Sequence, residues 1–291
     1  MTEYVFLNNV LTDSDQAAVS IHDAGLLHGI GLFETMRSYG GRVFRLDDHL
    51  DRLFHSAAAL NIPVTQQKLE IENGIGELLG ANQLTDARLR LTLTRGNIKN
   101  ASPENPSTST LFITAAPLTP YLPEYYNKGM TVIVSDYKQN PYEPTAGHKT
   151  INYFNRLLAL QQAQRKQAGE ALWFTTSNHL AEGCISNVFL VHNEVLLTPP
   201  LATPVLPGII RKLVLELARQ NGIKVEEKPL TIQDLLQASE VFLTNSIMEL
   251  MPVTRIEKHA VGNEKPGPLY QKLHDLYRSA VAAECQKEQE P

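Results

Sequence analysis

Three charged residues, far apart in the chain, have side chains suited to holding a phosphorylated aldehyde. Lys149 lies in PTAGHKTINYFNRLLA, Glu182 in LAEGCISNVFLV and Arg52 in HLDRL. A lysine amine bonds covalently to a carbonyl carbon, a carboxylate pairs with a protonated ring nitrogen, and a planar guanidinium binds a phosphate dianion. These are the three charges that pyridoxal phosphate requires of a protein.

Each of the three residues also has an ordinary structural interpretation. Lys149 is expected to begin a helix, where a solvated lysine is common. The helix dipole disfavours a cation there and so favours the neutral amine. Glu182 beside Gly183 fits a turn carboxylate. Arg52 fits an ion pair with Asp48 on the same helix, so residue type alone leaves both interpretations open.

Two further segments offer phosphate ligands. In PGIIR, Gly208 precedes a predicted helix, so the amides of Ile209 and Ile210 are expected at a helix N-terminus, which attracts anions. In TNSIM, Ser246 offers a hydroxyl and Ile247 an amide. A lone glycine before a helix is more often a simple cap, so these segments support a phosphate site only in combination.

The composition argues against several other classes of protein. The chain has 291 residues, 43% hydrophobic and 20% charged, which is ordinary for an enzyme of two domains. Its net charge of −5, without a basic stripe, argues against a nucleic-acid partner. Cys184 and Cys285 lack the spacing of a metal site or disulfide framework. No apolar run reaches the roughly 18 residues of a membrane span, and the segment MTEYVFLNNVLTDSD does not show the pattern expected of a secretion signal. We therefore expect a cytoplasmic protein that acts on a small molecule, without metal, membrane or nucleic acid.

Hydrophobic periodicity predicts an N-terminal α/β domain over residues 1–117. TEYVFLNNVLT predicts an edge hairpin that turns at its two central asparagines, and GLFETMRSYGGRVFRL predicts two strands around a glycine pair. Helices are predicted in LDDHLDRLFHSAAALNI, with Asp47 or Asp48 as N-cap, and in TQQKLEIENGIGELLGANQ. ARLRLTLTRG alternates as a half-buried strand does.

A proline-containing linker is predicted at residues 118–126, followed by a C-terminal domain over residues 127–291. Strands are predicted in MTVIVSDYKQNP, ALWFTTSN, NVFLVHNEVLLTP and SEVFLTNSIMELMPVTRIE. Helices are predicted in LPGIIRKLVLELARQNGI, IQDLLQA and GPLYQKLHDLYRSAVAAECQ, the last of which precedes a charged tail.

Five blocks in a fixed order resemble one known family, the class IV aminotransferases, which are the fold-type IV pyridoxal-phosphate enzymes. The blocks are HDAGLLHGIGLFETMRSYGGRVFRLDDHLDRL, HKTINYFNRLLA, LAEGCISNVFLV, LPGIIRKLVLELA and SEVFLTNSIMELMPVTRIE. The resemblance covers nearly the whole chain. It implies an α+β fold of two domains, with a small N-terminal α/β domain and a larger C-terminal domain built on a barrel-like mixed sheet. It also implies a homodimer.

The same resemblance implies roles for individual residues. Lys149 is implied to bind the cofactor aldehyde and to serve as catalytic acid and base. Glu182 is implied to pair with the ring nitrogen, and Tyr153 to lie near the phenolic oxygen. The implied phosphate ligands are Arg52, Ile209, Ile210, Ser246 and Ile247.

Within this family the sequence favours a 4-amino-4-deoxychorismate lyase, which releases pyruvate and leaves 4-aminobenzoate for folate biosynthesis. Thr35, in GLFETMR, stands where the lyases carry a threonine implicated in proton handling and where branched-chain aminotransferases carry glycine. LTNSIMELMPVTRIE also resembles the lyase version. Arg88 and Arg90 are expected on one face of a strand that lines the substrate pocket in the family, and two arginines suit two substrate carboxylates.

An aminotransferase for branched-chain or D-amino acids, with transfer to a 2-oxo acid such as 2-oxoglutarate, is the alternative. Asn152 and Tyr153 resemble the branched-chain type, and one arginine of the strand suits the side-chain carboxylate of glutamate. His28 stands where several relatives carry a tyrosine that faces the substrate, and Phe33 is expected on the same side.

A cofactor-binding or regulatory protein without catalysis is a third hypothesis. The joint presence of Lys149, Glu182 and Arg52 argues against it, because a degenerate binder tolerates the loss of at least one of them.

Overall fold

The computed structural model of the chain describes residues 3–99, 101–102 and 108–285. The residues group into two compact units. The first runs to Thr119 and also takes His148–Asn152 and the described residues from Val281 onward. The second comprises Pro120–Gly147 and Tyr153–Ala280.

The first unit is built on an antiparallel sheet with strand order β2-β1-β6-β5-β3-β4. Its strands are β1 (Tyr4–Leu7), β2 (Val10–Asp13), β3 (Gly31–Tyr39), β4 (Arg42–Val43), β5 (Ala87–Thr94) and β6 (Thr110–Pro117). Its helices are α1 (Ala24–His28), α2 (Leu46–Ala59) and α3 (Lys68–Ala81).

Period-two alternation in β5 separates a buried face from a polar one, as expected. Leu89, Leu91 and Leu93 are fully buried in a core that includes residues of α2 and α3. Arg88 and Arg90 lie on the opposite face, because successive side chains of a strand point to opposite sides.

Local turn chemistry accounts for two tight hairpins of this unit, β1–β2 and β3–β4. Asn8 and Asn9 have φ of 48° and 67°, and Gly40 and Gly41 have φ of 57° and 83°. Two successive left-handed residues make the type of turn that suits a two-residue hairpin. The N-cap of α2 differs from expectation. Arg45 occupies the N-cap in a left-handed conformation. Asp47 and Asp48 lie in the first turn, where their negative charges interact favourably with the positive end of the helix dipole.

The second unit is built on a larger mixed sheet, which curls into a half-barrel with strand order β12-β11-β10-β13-β14-β7-β8-β9. Its strands are β7 (Met130–Gln139), β8 (Glu170–Thr175), β9 (Leu180–Gly183), β10 (Asn187–His192), β11 (Val195–Thr198), β12 (Val225–Glu227), β13 (Glu240–Asn245), β14 (Glu249–Ile256) and β15 (His259–Ala260), which pairs with β14. Its helices are α4 (Pro123–Lys128), α5 (Phe154–Arg165), α6 (Ile209–Gln220), α7 (Ile232–Leu236) and α8 (Pro268–Cys285), whose last residues join the first unit. The pairs β7/β8, β7/β14 and β11/β12 are parallel.

The division of the chain differs from the expected domains at three points. The first unit ends at Thr119, and α4 begins inside the segment expected to be a linker. The segment His148–Asn152 belongs to the first unit because it pairs with β3. The end of α8 also belongs there, since the carboxylate of Glu284 accepts a hydrogen bond from the Arg45 amide. The expected charged tail lies outside the described residues.

No helix within the described ranges is long and apolar enough to cross a membrane. The same residues contain no group of histidine, cysteine and acidic side chains that could hold a metal ion.

Candidate active site

Lys149 is held by the sheet of the first unit. The N–H of Phe33 donates to the carbonyl oxygen of Lys149 (2.9 Å). The N–H of Ile151 donates to the carbonyl oxygen of Gly31 (3.0 Å). A Cβ at Gly31 would lie 2.7 Å from a backbone oxygen of β5, so glycine permits this close approach. Because α5 begins only at Phe154, our expectation that Lys149 begins a helix and feels its dipole is wrong.

Two cations share one aromatic ring beside this bridge. The Nζ of Lys149 lies 4.5 Å from the ring centroid of Phe33, and the guanidinium carbon of Arg90 lies 3.9 Å from it. Thr35 follows Phe33 on the same face of β3 and stands opposite Arg90 on β5. The structure thus brings four of the predicted residues together in the first unit. Two positive charges on one ring attract an anionic group.

Arg88 and His28 lie in more exposed positions. Arg88 stands opposite another arginine at the far end of the β3–β5 pair. His28 is the last residue of α1, a helix capped by the buried Asp23. Their roles as substrate ligands stay predictions.

Arg52 binds a buried carboxylate that sequence reasoning missed. Its Nε and Nη2 donate to the two carboxylate oxygens of Glu34 (2.8 and 2.5 Å). The Nδ1 of His49 donates to the same carboxylate (2.7 Å). Glu34 and His49 are each 1% exposed. Asp48 pairs with Arg45, and the pairing of Arg52 with Asp48 stays a prediction.

The sequence did contain a signal for this cluster. Glu34 lies between Leu32 and Met36 on the core-facing side of β3. A carboxylate at a core position needs a buried partner, and His49 and Arg52 lie three residues apart on α2.

The charges of the cluster are set by burial and by one another. Burial alone raises the pKa of Glu34, but the charge of Arg52 and the hydrogen bonds from His49 and Arg52 outweigh it and lower the pKa to about 2. Burial lowers the pKa of His49, as do the charges of Arg52 and Lys149, against the opposing effect of Glu34. Glu34 is therefore a carboxylate, and His49 is a neutral donor close enough to feel the charge of Lys149.

His148, the residue before Lys149, ties the bridge to α2. Its Nδ1 lies 2.9 Å from the hydroxyl of Ser56. Burial and the nearby charge of His55 lower the pKa of His148. The segment that carries Lys149 is thus fixed to both β3 and α2.

Glu182 is a buried carboxylate of the second unit with three hydrogen-bond donors. It lies at 3% exposure on β9. The Nη2 of Arg156 donates to its Oε1 (2.6 Å), and the N–H of Leu206 donates to its Oε2 (2.9 Å). The side-chain amide of Asn187 reaches Oε2 at 3.5 Å. Sequence reasoning missed Arg156 and Asn187. Arg156 lies on α5 and Asn187 on β10, so each reaches Glu182 on β9 only through the tertiary fold.

A second buried carboxylate shapes the turn that follows Glu182. Glu170 accepts hydrogen bonds from the amides of Cys184 (3.0 Å) and Ile185 (3.2 Å) and from the hydroxyl of Ser186 (3.0 Å). Burial raises the pKa of Glu170, partly offset by these hydrogen bonds. The hydrogen bonds to Glu170 therefore fix the turn between β9 and β10, and with it the position of Glu182 just before the turn.

The N-terminus of α6 forms a close-fitting cradle next to Glu182. Gly208 is its N-cap. A Cβ there would lie 1.9 Å from the side-chain oxygen of Asn187, so only glycine fits. The amides of Ile209 and Ile210 follow in the first turn, where a helix attracts anions.

The turn between β13 and β14 differs from expectation in its hydrogen bonds. The amides of Ile247 and Met248 donate to the side-chain oxygen of Asn245 (2.8 and 2.7 Å). The Asn245 amide group donates to the carbonyl oxygen of Ile185 (3.0 Å). Ser246 thus lies in a turn that is hydrogen-bonded to the β9–β10 turn. The Ile247 amide, expected to bind phosphate, donates to the Asn245 side chain in this structure.

Tyr153 is anchored by its phenol. The hydroxyl donates to the carbonyl oxygen of Cys184 (2.7 Å). Burial is the main reason that the pKa of Tyr153 is raised, so the phenol stays protonated and positions the start of α5 against the β9–β10 turn.

Comparison with known proteins places the chain in one group. The model of the family described as amino-transferase class IV matches residues 31–256. A protein of Methanocaldococcus jannaschii, provisionally named a branched-chain-amino-acid aminotransferase, is 37% identical over 94% of this chain and 95% of its own length. The D-alanine aminotransferase of Bacillus licheniformis is 32% identical over 97% of this chain and 99% of its own.

Solved structures give the same result. The branched-chain amino acid aminotransferase of Escherichia coli has a TM-score of 0.91 at 28% identity, covering 100% of this chain and 97% of its own. A chain of Legionella pneumophila, provisionally named a 4-amino-4-deoxychorismate lyase, has a TM-score of 0.84 at 26% identity, covering 92% and 97%. The expected fold, including the barrel-like mixed sheet, is confirmed.

Proposed function

Because the chain belongs to the class IV aminotransferase family, we propose that it is an aminotransferase that moves an amino group from an amino acid to a dicarboxylic 2-oxo acid such as 2-oxoglutarate. The names of its relatives support this assignment, since they are branched-chain and D-alanine aminotransferases. The lyase favoured by the sequence becomes the second candidate.

Pyridoxal phosphate is the cofactor of the family, and the residues of this chain fit it. The second unit offers a buried carboxylate at Glu182 and, at Gly208, a cradle that a Cβ would fill. The first unit offers the Lys149 amine and the Arg52 guanidinium. That one cofactor takes ligands from both sets is part of the proposal and follows from the family. When bound, the cofactor supplies an electron-withdrawing ring that stabilises negative charge at the substrate carbon bearing nitrogen.

Lys149 has two tasks in the proposed reaction. Its Nζ is the group that would hold the cofactor aldehyde, and as a free amine it would take and return the proton at the reacting carbon. The bridge to β3 and the ring of Phe33 restrict where Nζ can lie, which favours proton transfer because the reacting groups are already in position.

The remaining cofactor residues bind rather than react. Glu182 holds the ring-nitrogen proton. Ser246 and the first turn of α6, with Ile209 and Ile210, bind the phosphate. Arg52 adds a charge to the phosphate site, and Glu34 fixes the plane of its guanidinium with two hydrogen bonds.

One observation carries the choice of substrate. Arg90 and Lys149 contact the same ring of Phe33, so a guanidinium suited to a carboxylate stands one aromatic ring from the amine. A dicarboxylic substrate has a second carboxylate for such a group, whereas an aliphatic substrate has none.

The lyase remains a candidate because of Thr35. Its side chain shares the face of β3 with Phe33 and stands opposite Arg90, where a hydroxyl is available to the chemistry at the reacting carbon. Aminodeoxychorismate also carries two carboxylates, so Arg90 does not separate the two reactions.

The first half of the amino-transfer reaction, measured without a keto acid, distinguishes an aminotransferase from a lyase. The purified enzyme, loaded with pyridoxal phosphate, is mixed with L-glutamate, L-leucine or D-alanine without a keto acid, and pyridoxamine phosphate is measured by chromatography. In parallel, aminodeoxychorismate is generated in situ and 4-aminobenzoate is followed by fluorescence. Stoichiometric pyridoxamine phosphate is the expected result. Catalytic release of 4-aminobenzoate without amino transfer would instead establish the lyase.

A further inference from the structure

Arg156 binds the carboxylate proposed for the ring nitrogen. It lies in the first turn of α5. Its Nη2 donates to Oε1 of Glu182 (2.6 Å), while its Nη1 donates to the carbonyl oxygen of Gly183 (2.9 Å) and approaches that of Cys184 (3.5 Å). The Arg156 guanidinium therefore binds both the Glu182 side chain and the Gly183 backbone at the end of β9.

Neighbouring side chains restrict the position of the Arg156 guanidinium. The guanidinium carbon lies 5.6 Å from the ring centroid of Trp173. Tyr153, three residues earlier on the helix start, donates to the same Cys184 carbonyl. Burial acts against the charge of Arg156, but Glu182 and its neighbours outweigh it and raise the pKa of the guanidinium. The cation is thus permanent.

We propose that Arg156 is a positioning residue, which orients the Glu182 carboxylate so that one of its oxygens faces the ring nitrogen of pyridoxal phosphate. The proposal rests on the proposed role of Glu182. A carboxylate has about four lone-pair positions, and Arg156, Leu206 and Asn187 together supply three donors. The remaining position is the one left for the proton on the ring nitrogen.

A planar guanidinium suits this task better than an ammonium group does. Its N–H groups are fixed in one plane, so binding the Gly183 carbonyl sets the direction in which the other nitrogen meets Glu182. Without Arg156, the Oε2 contacts to Leu206 and Asn187 remain, and the carboxylate is free to turn about them. The ring nitrogen then loses a correctly aimed partner, while the phosphate and aldehyde contacts persist.

The test compares two cofactors that differ only at the ring nitrogen. Dissociation constants of pyridoxal phosphate and of 1-deazapyridoxal phosphate, in which a carbon replaces that nitrogen, are measured by titration of the apoenzyme. We expect Arg156→Gln to weaken pyridoxal phosphate binding about tenfold, the effect of one charge-assisted hydrogen bond, and to change binding of the deaza analogue less than twofold. Arg165→Gln, on the exposed last turn of the same helix, is the matched control and should change neither.

Two further variants make the test decisive. In a Glu182→Gln background, Arg156→Gln should add no loss specific to the ring nitrogen, because its partner is already gone. Arg156→Lys keeps the charge without the fork and should show a smaller loss of the same kind. Equal losses for both cofactors in either Arg156 variant, or no loss in either, would overturn the proposal, since a purely structural role does not distinguish the two rings.

The same data separate this inference from the proposed function. If wild type binds both cofactors equally, Glu182 does not pair with the ring nitrogen and the inference on Arg156 fails. The amino-transfer half-reaction is measured independently and stands or falls by itself.

Discussion

Glu34→Gln should destabilise the protein strongly, because it removes the charge of the buried carboxylate to which Arg52 and His49 donate. Arg52 is 8% exposed and gives two hydrogen bonds to Glu34, and His49 gives a third. Breaking such a buried pair from one side costs roughly 3 to 5 kcal/mol. A pKa held at about 2, against the 4.5 of an ordinary glutamate, corresponds to about 3 kcal/mol of stability.

The pH dependence supplies a second, independent signature. Glu34 has a lowered pKa in the folded protein, so its contribution to stability is complete above the unfolded value of 4.5 and is lost as the pH falls towards about 2. Glutamine does not titrate. The difference in stability between wild type and Glu34→Gln should therefore be largest above pH 4.5 and should narrow below it.

Urea unfolding, followed by circular dichroism between pH 3 and pH 7, measures both effects. Glu77→Gln, an exposed carboxylate on α3, is the matched control and should change the free energy of unfolding by less than about 0.5 kcal/mol. If Glu34→Gln matched this control, or if its loss did not depend on pH below 4.5, Glu34 would not be the counter-ion that we describe.

Three further predictions concern the proposed site. Arg90→Met should raise the KM for 2-oxoglutarate about tenfold or more and leave the KM for an aliphatic 2-oxo acid nearly unchanged, because one carboxylate contact is lost; Arg42→Met, at an exposed position on β4 of the same sheet, is the control, and equal effects on both substrates would contradict the assignment. Gly208→Ala should weaken pyridoxal phosphate binding at least tenfold in an apoenzyme titration, since its Cβ would lie 1.9 Å from a side-chain oxygen. Gly76→Ala, in a helix with open space around the new methyl group, should bind the cofactor as wild type does. Thr35→Gly should lower release of 4-aminobenzoate much more than cofactor affinity if the lyase reaction occurs, and unchanged release would remove the reason for considering it.

Patterns that act over a few residues predicted much of the fold. The hairpin at Asn8 and Asn9 follows from two residues that accept a left-handed conformation, and the polar face of β5 follows from strict alternation. Glu182 was proposed as the partner of the ring nitrogen because a recognisable block surrounds it. These signals are local, so they need no knowledge of which segments meet.

Contacts between distant segments escaped prediction. Glu34 lies on β3 and Arg52 lies 18 residues later on α2. Their pairing therefore depends on how α2 packs on β3. The strand-like bridge at Lys149 forms against an edge that lies more than a hundred residues earlier, whereas the local sequence favours a helix. Arg156 acts on the end of β9 from another element, and its residue type alone predicts only an exposed helix position.

The bridge between Lys149 and β3 has a consequence for how the chain can be divided. A fragment of residues 1–119 contains most of the first unit but lacks the segment that carries the amine. A fragment beginning at residue 120 contains Lys149 but has no β3 edge to hold it. The amine reaches its final position only after a late segment has returned to an early strand, so folding must close a loop of more than a hundred residues before the lysine is in place. A nascent chain in which this loop is still open therefore lacks an ordered Lys149 amine, even when the first sheet has already formed.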